Sequence, residues 1–178
     1  MTATIQPRLL LGLLMALCLT GCDFYAATPS CLDYFKPGDR SGFDTDDKGM
    51  AIQDATGTQW YRCAAGQRFA ASRCQGEPVQ LNWDDAMAYA AELAEKSGKP
   101  WRIASNDEMA SIQQTACQEP SVNPNVFKGI EVNNYWTSNT TWSHDSLRCS
   151  AYLFSGTMYC RQARSTELPF LLVLDKAP

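Results

Sequence analysis

The sequence predicts an α+β domain in which strands come first, two helices follow together, and strands return. Three observations carry this. Residues 50–63 read as two strands around a glycine turn. Residues 82–116 hold two capped stretches of helical period. The last third is rich in short apolar and β-branched runs separated by Ser-Gly and Asn-containing turns.

The elements follow in order. Residues 50–54 and 58–63 flank Asp54-Ala55-Thr56-Gly57 as a β-hairpin. Residues 67–71 suit another short strand. Asn82 caps the first helix, with Asp85 three residues later in a capping-box arrangement. Trp83, Ala86, Met87, Ala90, Leu93 and Ala94 fall on one helical face. Lys96 suits the negative C-terminal end, and Gly98 with Pro100 stops the helix. Ser105-Asn106-Asp107-Glu108 is a second capping box, and Met109, Ile112 and Ala116 form the inner stripe behind it. Residues 118–131 read as a loop rich in Pro, Asn and Gly. Residues 134–138 suit a strand, 147–154 and 157–162 a hairpin around Ser155-Gly156, and 168–174 a buried strand.

The N-terminus has a different character. Arg8 is the only charge before Cys22, and an apolar run at 9–19 follows it. That run has signal-peptide length and is too short to span a bilayer. It leads into Leu19-Thr20-Gly21-Cys22, which resembles the lipobox of bacterial lipoproteins. The resemblance implies cleavage after residue 21 and a diacylglyceryl thioether on Cys22. Two or more acyl chains anchor stably where one holds marginally, at about 0.8 kcal/mol per buried CH₂. The expected organisation is a signal segment at 1–21, a lipidated tether at 22–42 and a domain at 43–178. The expected membrane partner is reached through the lipid, with the domain facing the periplasm. Asp23 resembles the inner-membrane retention signal of enteric bacteria, but other bacteria read other positions, so inner and outer membrane both stay open.

Removing residues 1–21 changes the net charge from −4 to −5. No basic stripe suggests nucleic acid as a partner. Beyond Cys18 and Cys22, six cysteines remain: Cys31, Cys63, Cys74, Cys117, Cys149 and Cys160. An even number in an exported chain reads as disulfides, with 15 possible connectivities for six. No C-x₂-C pair is present and His144 is the single histidine, so zinc is a poor reading. Neither a metal nor a cofactor is expected.

Spaced motifs between about residues 50 and 174 resemble the Lcl C-terminal domain family, named for a collagen-like bacterial adhesin. Asp54-Ala55-Thr56-Gly57-Thr58-Gln59-Trp60 is similar to its D-x-x-T-G-L-x-W hairpin, with Thr58 in place of Leu. The segment from Arg62-Cys63 through Gly66-Gln67 to Cys74-Gln75-Gly76 resembles its cysteine-bracketed stretch. Asn82-Trp83-Asp84-Asp85-Ala86 matches the start of its first helix. Residues 101–109 resemble W-R-L-P-T-x-x-E-L, with Ala104 in place of Pro. Tyr135-Trp136-Thr137-Ser138 resembles Y-W-S-S, with Asn139 where Thr is usual. The resemblance implies a C-type-lectin-like architecture: two helices on a twisted, mostly antiparallel sheet with long loops. It says more about fold than about ligand.

The family's bracketing pair suggests Cys63 with Cys74. Cys149 and Cys160 lie on neighbouring strands of the second hairpin. A two-residue Ser155-Gly156 turn would put Ala151 opposite Cys160, so that pair needs a bulge. Cys31 and Cys117 then remain. Trp83, Trp101 and Trp136 are expected to fill core, and Arg102 to pair with an acidic or carbonyl group.

Catalysis is not expected. A nucleophile–histidine pair would have to use His144, which sits in the polar loop Thr141-Trp142-Ser143-His144-Asp145-Ser146. Asp44-Thr45-Asp46-Asp47-Lys48-Gly49 has the alternating acids of a calcium loop but no distal glutamate, and reads as a solvated turn. The calcium-dependent sugar motifs of C-type lectins are absent, with Glu119-Pro120-Ser121 only a partial echo. Binding remains. Tyr135, Asn139, Trp142, His144 and Arg148 gather around one inter-strand loop, where aromatics stack on sugars or anchor interfaces and Asn and Arg direct hydrogen bonds. The expected role is non-catalytic recognition of a glycan or protein ligand. The competing role is a periplasmic immunity or inhibitor lipoprotein that neutralises a secreted enzyme.

Overall fold

The computed structural model describes residues 27–175. The expected signal segment and Cys22 lie outside the described residues. A short helix, α1 (Cys31–Tyr34), precedes strands β1 (Phe43–Thr45), β2 (Met50–Gln53), β3 (Gln59–Ala64), β4 (Arg68–Ala70) and β5 (Arg73–Gln75). Helix α2 (Trp83–Ser97), strand β6 (Trp101–Ile103) and helix α3 (Asn106–Ser111) follow. Strands β7 (Asn134–Thr140), β8 (Leu147–Tyr152), β9 (Thr157–Ala163) and β10 (Leu171–Leu174) complete the order. The architecture is mixed, mostly strands in antiparallel sheets with few helices.

The main sheet runs β1-β2-β3-β10-β6, so the last strand enters between two earlier ones. Strand β10 can sit there because it is apolar on both sides. Leu171 and Val173 enter one core with Trp60, Phe127 and Tyr135. Leu172 enters the other with Ala86, Ala90 and Trp136. A continuous apolar run, rather than an alternating one, is what a strand covered on both faces needs. Ala86 and Ala90 are the buried residues of α2. Their small side chains let the helix lie close to the sheet, and larger ones would overpack it.

The three-stranded sheet β7-β8-β9 joins the main sheet through backbone bonds. Trp136 N donates to Pro169 O at 2.9 Å and Ser138 N to Ala104 O at 3.0 Å. Tyr135, Trp136 and Thr137 are consequently all buried. Trp136 fills core as expected, whereas Trp83 and Trp101 are only half-buried.

The helix caps behave as their residues dictate. Asn82 Oδ1 accepts from Asp85 N at 3.0 Å, and Gly98 ends α2 at φ 65°. Ser105 N donates to Glu108 Oε2 at 2.8 Å, while Glu108 N donates to Ser105 Oγ at 3.3 Å. Helix α3 is shorter than its apolar stripe suggests. It stops at Ser111, Ile112 is its C-cap, and Ala116 lies beyond it. Ile112 nevertheless stays in the core, because the turn after the helix keeps it on the same side.

Among the described residues three disulfides are formed: Cys31–Cys117, Cys63–Cys74 and Cys149–Cys160. The last sits where the β8–β9 register shifts between Arg148 and Ser150. The hairpin connection is longer than the two-residue turn expected. Tyr152 pairs with Thr157, and Gly156 N donates to Tyr152 O at 2.9 Å, so Leu153 to Gly156 form the turn. Ala151 therefore faces Met158 rather than Cys160. That register keeps Ala151 in the core beside Tyr135, with Met158 packed against it; a one-residue slip would turn them outward.

The expected tether is bound over much of its length. Cys31 N donates to Gln118 O at 2.7 Å, and Gln118 N to Pro29 O at 2.9 Å. Asn125 Nδ2 donates to Lys36 O at 2.9 Å, Gly38 N to Asn125 Oδ1 at 3.2 Å, and Asn123 Nδ2 to Asp39 O at 3.1 Å. Two asparagines of the loop before β7 thus take up the backbone polar groups of an otherwise aperiodic segment. These bonds hold residues 29–39 against the loop at 118–125.

Candidate functional site

The loop Thr141 to Ser146 joins β7 to β8 and lies beside the N-terminus of α2. One backbone residue ties the parts together. Arg164 N donates to Ser146 O at 2.8 Å, and Trp83 N donates to Arg164 O at 3.0 Å. An open groove of about 660 Å³ results, lined by Asn82, Asp84, His144, Asp145, Ser146 and Arg164 among others.

Trp83 is its foundation. Its indole Nε1 donates to Thr137 O at 2.8 Å. The Arg148 guanidinium lies 4.5 Å from the ring centroid, and that of Arg164 lies 6.0 Å away. Arg148 is buried, and its Nη1 donates to Asp145 O at 2.8 Å and Leu147 O at 2.7 Å. Its Nε is buried without a partner among the described residues. Arg164 pairs with both carboxylate oxygens of Asp84. The Arg164 hydrogen bond holds the Asp84 carboxyl below its ordinary value, and Asp84 in turn raises Arg164. The groove wall is therefore a fixed, charged pair at neutral pH.

The sequence-predicted residues divide. Trp142 is 100% exposed, with nothing covering its ring among the described residues. His144 is exposed on the groove wall, where Nδ1 accepts from Ser146 N at 3.2 Å and lies 2.8 Å from Ser146 Oγ. Arg148 supports the loop from beneath. Asn139 is spent elsewhere: its Oδ1 accepts from Asn106 N, at the start of α3, at 2.7 Å. Tyr135 corrects the expectation of a ligand contact. It is fully buried in the core, because both faces of β7 are covered there. Several groove residues were not foreseen, Asp84, Asn82 and Arg164 among them. Asp84 reads as part of a helix start, Asn82 as its cap, and Arg164 carries no local signal at all.

Other sequence candidates have structural roles. Asp46 Oδ1 accepts from Lys48 N at 2.9 Å and Met50 N at 2.7 Å, which closes the turn before β2. Gly49 in that turn has φ +91°, and a Cβ there would stand 2.5 Å from Phe69 Cβ. Ser121 is buried, bonded to Leu153 O and Gln113 Oε1. Among the described residues no cluster of three or more His, Cys, Asp or Glu is assembled for a metal. None of the described helices is long and apolar enough to cross a membrane.

Fold and groove together define a disulfide-bonded α+β domain with a loop-built surface cleft. The chain belongs to the Lcl C-terminal domain family, whose model matches residues 49–173. No curated protein and no solved structure matches it. The matched stretch starts after α1 and the clamped segment, so the Cys31–Cys117 bond joins the family domain to sequence outside it.

Proposed function

We propose that this protein is a lipoprotein of the cell envelope, anchored through Cys22, whose C-type-lectin-like domain binds a glycan without catalysis. The observation that carries the reading is Trp142. A fully exposed tryptophan on a loop costs solvation with no gain in packing, and the same loop supplies His144, Asp145 and Ser146 to a groove that also offers a carboxylate, a guanidinium and a side-chain amide. An aromatic plane beside directed polar groups suits a sugar, which has one apolar face and a rim of hydroxyls. The lipobox resemblance at residues 19–22 and the three disulfides support an exported location.

The test is a glycan array probed with the full chain and with its Trp142→Ala variant. Binding to a defined glycan set that is lost in Trp142→Ala is the expected result. No glycan signal, together with capture of a protein partner in a pull-down, would replace the glycan by a protein ligand. Glycan binding unchanged in Trp142→Ala would remove the loop as the site.

A further inference from the structure

A second concavity lies further along α2, away from the loop groove. It is a cavity of about 230 Å³ between α2 and strands β3, β6 and β10. Tyr61, Tyr89, Leu93, Trp101 and Leu172 form its main walls, with the backbone of Gly66 at one side. None of the residues lining it is charged.

The walls are held in place. Tyr61 Oη accepts from Phe69 N at 2.8 Å and donates to Gln67 O at 3.4 Å. The Trp101 ring meets Tyr61 edge-on, with centroids 6.2 Å apart. Tyr89 meets Phe170 in the same way at 5.6 Å. The Gln67 amide is already engaged, accepting from Ala64 N at 3.2 Å and donating to Gly76 O at 3.0 Å. Two polar tips are different. Neither Tyr89 Oη nor Trp101 Nε1 has a hydrogen-bond partner among the described residues, and both belong to side chains lining the cavity.

We infer that this cavity binds one neutral pyranose ring. Its volume is below the roughly 300–1,000 Å³ of drug-sized sites, which limits the occupant to about one ring. A charged ligand would lose hydration here with no opposite charge to meet it. A purely apolar ring would make no use of the two donors that these lining side chains carry without a partner. A pyranose satisfies both conditions, since its C–H faces suit aromatic walls and its hydroxyls accept from Tyr89 and Trp101.

The experiment uses the full chain, with the amide and indole N–H resonances followed by NMR. Methyl glycosides of glucose, galactose, mannose and N-acetylglucosamine are titrated at millimolar concentration, with cyclohexanol as the ring lacking most hydroxyls. At least one glycoside should shift the Trp101 indole and the Gly66 amide in a saturable way, and cyclohexanol should not. Tyr89→Phe keeps the ring and removes one hydroxyl, so it should weaken that binding by about 2- to 10-fold. Trp142→Ala should leave it unchanged, which separates this site from the loop groove. The inference is overturned by the absence of any glycoside shift at these two groups. Equal shifts with cyclohexanol, or full affinity in Tyr89→Phe, overturn it as well. If Tyr89→Phe fails to fold, the shift map of the unaltered chain decides alone.

Discussion

Arg148 lays its guanidinium 4.5 Å from the Trp83 ring centroid while its Nη1 holds the carbonyls of Asp145 and Leu147. One buried cation therefore joins the start of α2 to the β7–β8 loop. The stack explains why a loop with few apolar residues has a defined path. It also gives Arg148 a supporting role beneath the groove, distinct from direct ligand contact.

Replacing that cation should loosen the loop. Arg148→Leu loses a desolvated cation–π contact and two charge-assisted bonds, and stability should fall by about 2 kcal/mol. Arg148→Lys should not restore it, because an ammonium cannot stack flat and reach two carbonyls together. Urea unfolding measures the loss, and hydrogen exchange at Thr141 to Ser146 should quicken in both variants. A wild-type midpoint for Arg148→Leu would show that the stack contributes nothing.

Glu108 links stability to pH. Burial alone would raise its carboxyl, but hydrogen bonds from Arg102 and Ser105 outweigh burial and hold it below its ordinary value of 4.5. Arg102 meets it with both Nη atoms, at 2.7 and 2.8 Å. A depressed carboxylate stabilises the fold above its unfolded pKa and loses that contribution as pH falls through the folded one. Glu108→Gln should therefore be less stable at pH 7 by about 1–3 kcal/mol. The difference should shrink once pH drops below 4.5 and continue to shrink on further acidification. Unfolding curves from pH 7 down to about 2 provide the check, and a gap that stayed constant across this range would contradict the assignment.

The disulfides should differ in what they contribute. Cys31 and Cys117 are 86 positions apart, whereas Cys63 and Cys74 are 11 apart. Loop-closure entropy gives about 4.5 kcal/mol for the long span and about 3 kcal/mol for the short one. Paired Cys→Ser variants compared by denaturant unfolding should follow that order. The reverse order would mean that the clamped N-terminal segment adds little in the unfolded-state account.

Trp142 and Asn139 make opposite predictions although they lie only three positions apart. Trp142→Ala should leave stability within about 0.5 kcal/mol, since nothing packs on the ring. Asn139→Ala removes an acceptor from the first amide of α3 and should cost about 1 kcal/mol. Thermal unfolding of both distinguishes them. A large loss for Trp142→Ala would place its ring in the folded interior.

What the sequence revealed was local. As caps, Asn82, Ser105 and Glu108 bond only to residues three positions away, so both helix starts could be read directly. The β2–β3 hairpin was legible for the same reason. Strands β1, β5 and β6 have three residues each, too few to establish a period, and were missed. Tyr135 was misplaced because an aromatic in a strand gives no sign that both faces are covered. The groove was the least legible part. Asp84 and Arg164 are 80 positions apart, so no local pattern signals their pairing. The clamped segment was hidden likewise, since Asn123 and Asn125 look like ordinary loop residues until their partners at 36–39 are known.

The knot of bonds at Cys31 sets a leash. Nine positions separate it from Cys22, and an extended chain advances at most about 3.3–3.6 Å per residue. With the proposed lipid at Cys22, the domain would float no more than roughly 30 Å above the bilayer. It could then sample only molecules that approach that membrane, and never sweep the space between two membranes.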